Sequence, residues 1–335
     1  MIELALGHAD AARLRVLRWF GPWARPLFVS REVRVAWTGA LLVTAALALT
    51  RLVPLWMLAL GPLVWGVPHV VADLRYLALR PGYHRRPTLV VPVLLALACG
   101  WAGFGVRAAL FGGALCALVT RAPIVRRLAV AAPLAGLGLL AHLWEAIATI
   151  VFAHAHNVVA ILFFAFWRRR GSRLHWIPVG VVAAGAIAIL GGAFDGALRH
   201  ASSFAGLHFG DLVAQLAPAE IVSKVSTDPV MPDRVVLLFA FAQSVHYVVW
   251  LRLVPEEERA ASSPVSFRQS FRSLVRDVGV PLLAIHAVAA VVFVVWAFGD
   301  LPTARIRYLQ IAFFHGWLEI LAAAIMLAEG RPQRT

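Results

Sequence analysis

Forty consecutive residues, 128–167, read LAVAAPLAGLGLLAHLWEAIATIVFAHAHNVVAILFFAFW, with Glu145 as their sole carboxylate and no Lys or Arg. As one helix, at 1.5 Å per residue, they would measure ~60 Å, about twice the hydrocarbon thickness of a bilayer. The stretch is therefore expected to form two spans with a tight turn near 144–148, or a helix that re-enters. Shorter apolar runs recur along the whole chain, at 35–50, 55–79, 88–105, 107–120, 174–193, 235–251, 279–298 and 305–328. Each is close to the ~20 residues that cross a bilayer as a helix. The fold class that follows is all-α: a polytopic membrane helix bundle of eight to ten transmembrane helices.

Charge sets the expected orientation. Only 14% of residues are charged while 61% are hydrophobic, against a soluble norm of about 25% charged. With ten spans, the basic segments 1–34, 80–87, 121–127, 168–173, 252–277 and 329–335 all fall on one side. Lys and Arg accumulate in cytoplasmic loops, so both termini are expected to be cytoplasmic. The net charge of +14 then reflects contact with the lipid bilayer and its anionic headgroups, and no nucleic-acid partner is expected. All of the 31 basic residues except Lys224 are Arg, a bias that resembles a GC-rich bacterial genome and places the chain in a bacterial inner membrane. Cys99 and Cys116 lie in apolar runs and make neither a disulfide framework nor a Cys-based zinc site.

The expected organisation is a basic interfacial segment (1–34), a single transmembrane domain (35–328) and a basic tail (329–335). In the first segment Leu14, Leu17, Trp19 and Phe20 interleave with Arg13, Arg15 and Arg18, the pattern of a helix lying in the membrane interface. The domain contains a longer polar external connection at 194–234, partly helical. It also contains an amphipathic cytoplasmic connection at 252–278, where Phe267, Phe271 and Leu274 accompany Arg268, Arg272 and Arg276.

Ionisable residues inside apolar helices are costly and mark function by default. His69 in GVPHVVAD forms an i, i+4 pair with Asp73, beside Pro62, Gly66 and Pro68, which are expected to kink the span. His315 in FFHGWLE has the same spacing to Glu319. His246 in QSVHYVVW has Gln243 at i−3. In HLWEAIATIVFAHAHN, a 100° projection puts His142, Glu145, Thr149 and His156 within ~60° of one another, with His154 ~160° from His156. His69, His156, His246 and His315 fall near the middle of their spans, with Asp73, Glu145 and Glu319 in the same segments. Imidazole with carboxylate suits Fe, Zn or Cu over Mg or Ca. The metal-ligand candidates are thus His69, His156, His246 and His315, with His154 and His208 as further candidates. Asp73, Glu145 and Glu319 are the residues expected to orient ligands or move protons. His208, with Asp211, is expected to cap the site from the 194–234 connection. His286 has no polar neighbour and reads as a core residue, and His8, His84, His175 and His200 as solvent or interfacial ones.

GVPHVVAD (66–73) resembles the G-x-P-H-G-x-x-D segment of the bacterial Brp/Blh-like β-carotene 15,15'-dioxygenase family. LHFGDL (207–212) is similar to that family's His-Phe-Gly segment. The resemblance implies a multispan membrane enzyme that holds non-haem iron through histidines and cleaves a carotenoid with O2. It implies His69 and His208 as iron ligands. Val70 stands where the family has Gly, and the HAHN and FFHGWLE stretches have no placed counterpart.

Other classes stay open on the sequence. Zinc could occupy a closed site. His142 and His156, 14 residues apart, match the spacing of two haem b ligands on one continuous helix. A kinked helix with midplane ionisable residues also suits a transporter. The function expected of such a chain is that of a membrane metal-dependent oxidoreductase with non-haem iron, acting on a lipophilic small molecule such as a carotenoid or lipid.

Overall fold

The computed structural model describes residues 2–166, 172–198, 203–259 and 262–330. Residues 168–171 of the expected basic loop, His200, and residues 331–335 of the basic tail lie outside the described residues.

Among the described residues the chain is all-α apart from one two-stranded hairpin. Its main helices are α1 (Ile2–Trp19), α2 (Arg31–Leu52), α3 (Pro54–Leu79), α4 (Pro87–Cys99), α5 (Gly105–Leu118), α6 (Ile124–Leu143), α7 (Glu145–Phe166) and α8 (Trp176–Leu190). After the hairpin of β1 (Ser203–Phe204) and β2 (Leu207–His208) come α9 (Phe209–Leu216), α10 (Met231–Glu257), α11 (Phe267–Val278), α12 (Val280–Gly299), α13 (Leu301–Ala312) and α14 (Phe314–Glu329). Among the described residues, 8 helices are long and apolar enough to cross a membrane: α2, α3, Pro87–Leu118, α6, α7, α10, α12 and Leu301–Glu329. Apart from Phe293, α12 buries no side chain and exposes Ile285, Val288, Val291 and Phe298. A helix apolar all round needs lipid or protein on every face. This is a multi-pass membrane protein.

The expected divisions have physical causes. The 40-residue stretch breaks at Trp144 (φ −129°, ψ 57°), at the near edge of the predicted 144–148 window. Pro87–Leu118 is two legs rather than one rod. Gly103 (φ 102°) and Gly105 (φ 51°) take left-handed backbone, and Ala96 on α4 then lies against Gly112 on α5. The third and fourth expected spans are the legs of this hairpin. At 14 residues α5 is ~21 Å long, short of the ~30 Å hydrocarbon core. The expected span at 174–193 is the shorter apolar helix α8, of 15 residues.

Packing divides the chain into two compact units, Met1–Gly61 with Asn157–Val292, and Pro62–His156 with Phe293–Thr335. In the first, α2, α8 and α10 pack together. Gly39 lies against Pro178 and Leu253, and Gly185 against Phe241 and Leu47. Arg34 and Glu256, both buried, join at 2.8 Å, and Arg252 and Arg259 hold the other carboxylate oxygen at 2.7 and 2.6 Å. The β1–β2 turn is Ala205–Gly206, both at positive φ, as a two-residue hairpin requires.

In the second unit, α14 packs on α5 and α6 through small side chains: Ala114, Ala117, Ala131, Ala324 and Ala328 are buried together. Small residues let apolar helices approach closely where no hydrophobic drive separates helix from lipid. At one end of this packing, Glu329 takes both Arg86 guanidinium nitrogens at 2.7 Å and the Arg121 amide at 2.6 Å.

Candidate metal centre

The second unit brings five of the sequence-selected residues together: His69 and Asp73 on α3, His156 on α7, and His315 and Glu319 on α14. The α3 pair sits on a seven-residue α-helical stretch, Val67–Asp73, between π-helical turns at Pro62–Gly66 and Leu74–Leu79. Pro68 has no N–H to offer the turn before it, so the backbone relaxes there instead of continuing as α. The expected kink is therefore a π distortion, a form that clusters at functional sites. Gly66 is required in this turn: a Cβ would strike the Tyr308 hydroxyl on α13.

His69 and Asp73 are buried, at 2% and 0% exposure. His69 Nε2 stands 3.7 Å from Asp73 Oδ2, and neither Asp73 oxygen accepts a hydrogen bond from a described residue. A bare carboxylate in an apolar helix is costly, and a cation or a proton relieves that cost. His315 stacks edge-on against His69, with ring centroids 4.5 Å apart. One ligand atom each of His69, Asp73 and His315 lies within 4.8 Å of the others. Ligands ~2.1 Å from a shared ion are at most ~4.2 Å apart, so small side-chain rotations close this set on one ion.

The tautomers of the other pair follow from their hydrogen bonds. α13 and α14 meet at Phe313, where the backbone stays helical (φ −58°, ψ −23°), and His315 Nδ1 donates to the Ala312 carbonyl. His156 Nδ1 donates to Glu319 Oε2 at 2.9 Å. With both Nδ1 atoms protonated, the neutral rings carry lone pairs on Nε2, and these two Nε2 atoms face each other at 2.9 Å. Facing lone pairs repel unless a cation or proton lies at their focus. Two adjacent ligands at ~2.1 Å and 90° on one ion are ~3.0 Å apart. Orientation of each ring by an acceptor on its far nitrogen is what metal-bound histidines have. The close approach of α7 rests on Gly316, where a Cβ would lie 2.8 Å from Phe152 and 3.2 Å from His156 Nδ1.

His69, Asp73 and Glu319 are buried, whereas His156 and His315 are partly accessible. The cluster could hold a metal ion.

Glu145, His142, His154 and His208 stand outside the metal-capable groups of the described residues. Glu145 is not at the cluster. The break at Trp144 makes it the first residue of α7, where a carboxylate suits the helix N-terminus, and it is exposed and paired to Arg107 at 2.6 Å. Arg107 also reaches His142 at 3.4 Å. The same break removes the continuous helix on which His142 and His156 would have served two haems. His154 is half-buried on α7 and joins no metal-capable group among the described residues. His208 ends the β hairpin of the first unit, exposed, and joins none either. His246 is buried in α10 of the first unit. Spacing revealed neither the Ala312 carbonyl nor the cross-helix role of Glu319, which pointed only to His315 at i−4. No family model matches this chain, and neither a curated protein nor a solved structure matches it.

Proposed function

We propose that this protein is a membrane-embedded metal enzyme, with non-haem iron at the His69–Asp73–His156–His315 cluster and an oxidative reaction on a lipophilic substrate. The observation that carries the reading is the facing Nε2 pair of His156 and His315, 2.9 Å apart with both far nitrogens committed to acceptors. Iron is favoured by an imidazole and carboxylate set without thiolate. The partial exposure of His156 and His315, beside buried His69 and Asp73, favours a reactive centre over a closed structural zinc site. Iron held this way supplies O2 activation. The chain's own residues hold the ligand rings in one tautomer, with Glu319 as a proton acceptor against His156 Nδ1. The likeness of GVPHVVAD to the carotenoid dioxygenase segment favours a carotenoid or another unsaturated lipid as substrate. The sequence reading also counts His246 as a ligand, and its substitution belongs in the same test. The exposure of His208 argues against the ligand role that the resemblance implies for it.

The test is metal analysis with an optical spectrum of detergent-purified protein. One iron per chain without a Soret band supports the reading, and His156→Ala should remove the iron. A Soret band replaces it with haem. A metal-free protein that supports solute- or proton-dependent flux in proteoliposomes replaces it with transport.

A further inference from the structure

The first unit carries a second feature unrelated to the metal. α1 and α11 bury no side chain, yet they are fixed to one another by a set of polar contacts. Glu3 takes Arg272 at 2.8 and 2.9 Å, and its carbonyl takes Arg268 at 3.0 Å. Asp10 accepts the Phe267 amide at 2.8 Å and the Arg268 amide at 3.4 Å, so it caps the start of α11 from another helix. Arg13 donates to the Val265 carbonyl at 3.0 Å and lies over the Phe267 ring at 5.0 Å. The Arg268 guanidinium fills the space that a side chain at Gly7 would take.

This pairing sorts the charges. Both acids of α1, Glu3 and Asp10, point at α11 and are used there. Arg15, Arg18 and, beyond α1, Arg25 take part in none of these contacts and are exposed. Among these arginines stand Leu4, Val16, Trp19, Phe20 and Trp23, with Trp19 and Trp23 at 86% and 89% exposure. Exposed Arg interleaved with exposed Trp matches the headgroup layer of a bilayer. There the indole sits at the apolar–polar boundary and the guanidinium meets phosphate.

We infer that α1 and α11 form a two-helix foot that binds anionic phospholipid headgroups through Arg15, Arg18 and Arg25, with Trp19 and Trp23 seated at the level of the glycerol backbone. Charge complementarity selects an anionic bilayer surface over a zwitterionic one, because the acids that would balance these arginines are spent on α11.

The experiment uses the full chain in nanodiscs of phosphatidylcholine alone, or with about a third phosphatidylglycerol, and reads amide hydrogen exchange over residues 2–25. Exchange at 14–25 is expected to slow at least tenfold in the anionic nanodiscs, with the slowing abolished by about 0.5 M NaCl, where screening acts over only a few ångströms. The triple variant Arg15→Gln, Arg18→Gln, Arg25→Gln is expected to lose the lipid selectivity, by roughly a hundredfold at about fivefold per Arg. Its metal content serves as the folding control and reports on the metal centre separately. Equal protection in both lipids, or full selectivity in the folded triple variant, overturns the proposal. Trp23→Ala is expected to weaken protection in both lipids while leaving the ratio between them intact, and a lost ratio would overturn the division of roles.

Discussion

His156 and His315 turn their Nε2 atoms toward each other across 2.9 Å, from two helices, with a carboxylate behind one ring and a backbone carbonyl behind the other. Such an arrangement is unfavourable as two neutral rings and favourable as two ligands of one cation. Removing either ring should therefore remove the metal. His156→Ala and His315→Ala are expected to bind less than a tenth of the wild-type metal. Glu319→Gln, which keeps an acceptor but loses the charge, should weaken affinity about 10- to 100-fold. Competitive chelator titration of the purified protein measures all three.

Asp73 separates a ligand from a merely buried acid. Its oxygens accept no hydrogen bond from described residues and it is fully buried. Asp73→Asn is expected to abolish tight metal binding. The metal-free variant should melt no lower than the metal-free wild type, and be more stable by up to about 1–3 kcal/mol, because a costly buried group has been removed. A lower melting point of the metal-free variant would assign Asp73 a structural role.

Gly316 is where the centre meets packing. A methyl there meets Phe152 at 2.8 Å and His156 Nδ1 at 3.2 Å. Gly316→Ala should cost about 1–3 kcal/mol by overpacking and lower metal affinity with it. Gly316→Ala combined with Phe152→Ala should recover part of both, as seen by thermal unfolding and chelator titration.

Glu145 gives the opposite expectation. It belongs to an exposed pair with Arg107, so Glu145→Gln should leave metal content at the wild-type level and change stability by no more than about 1 kcal/mol. Loss of metal in this variant would return Glu145 to the site.

The connection before α10 supplies a pH signature outside the spans. Arg234 holds both oxygens of Asp195, at 2.9 and 2.7 Å, and donation from that guanidinium pulls the Asp195 carboxyl below its ordinary value of 3.8. A carboxyl lowered on folding stabilises above its unfolded value and loses that contribution as pH falls through the folded one. The melting difference between wild type and Arg234→Gln should therefore be present at pH 7 and shrink below about pH 4.

Much of this was legible in the chain because membranes simplify the code. Apolar length gives the spans, and an ionisable residue inside a span has few reasons to be there. His69, Asp73, His156, His315 and Glu319 were chosen on that ground and come together. Glu145 was chosen on the same ground and does not. Its depth depended on where a 40-residue stretch breaks, and Trp144 carries no Pro or Gly signal. Projection of His142, Glu145 and His156 onto one face assumed a helix that the break interrupts. The motif at His208 has short-range likeness, whereas a place at a centre depends on tertiary contacts that spacing does not encode.

The two ligand rings are unequal under mutation. The orientation of His156 depends on the side chain of Glu319, so a single codon can erase it. The orientation of His315 depends on the carbonyl of Ala312, which every amino acid possesses. A side-chain scan would find Glu319 and pass over Ala312, although both hold a ring in register. Only a change in the path of the backbone, or replacement of that amide by an ester, reaches the second support. Half of the ring alignment at this centre is thus inherited through chain geometry and is indifferent to the identity of the residue that provides it.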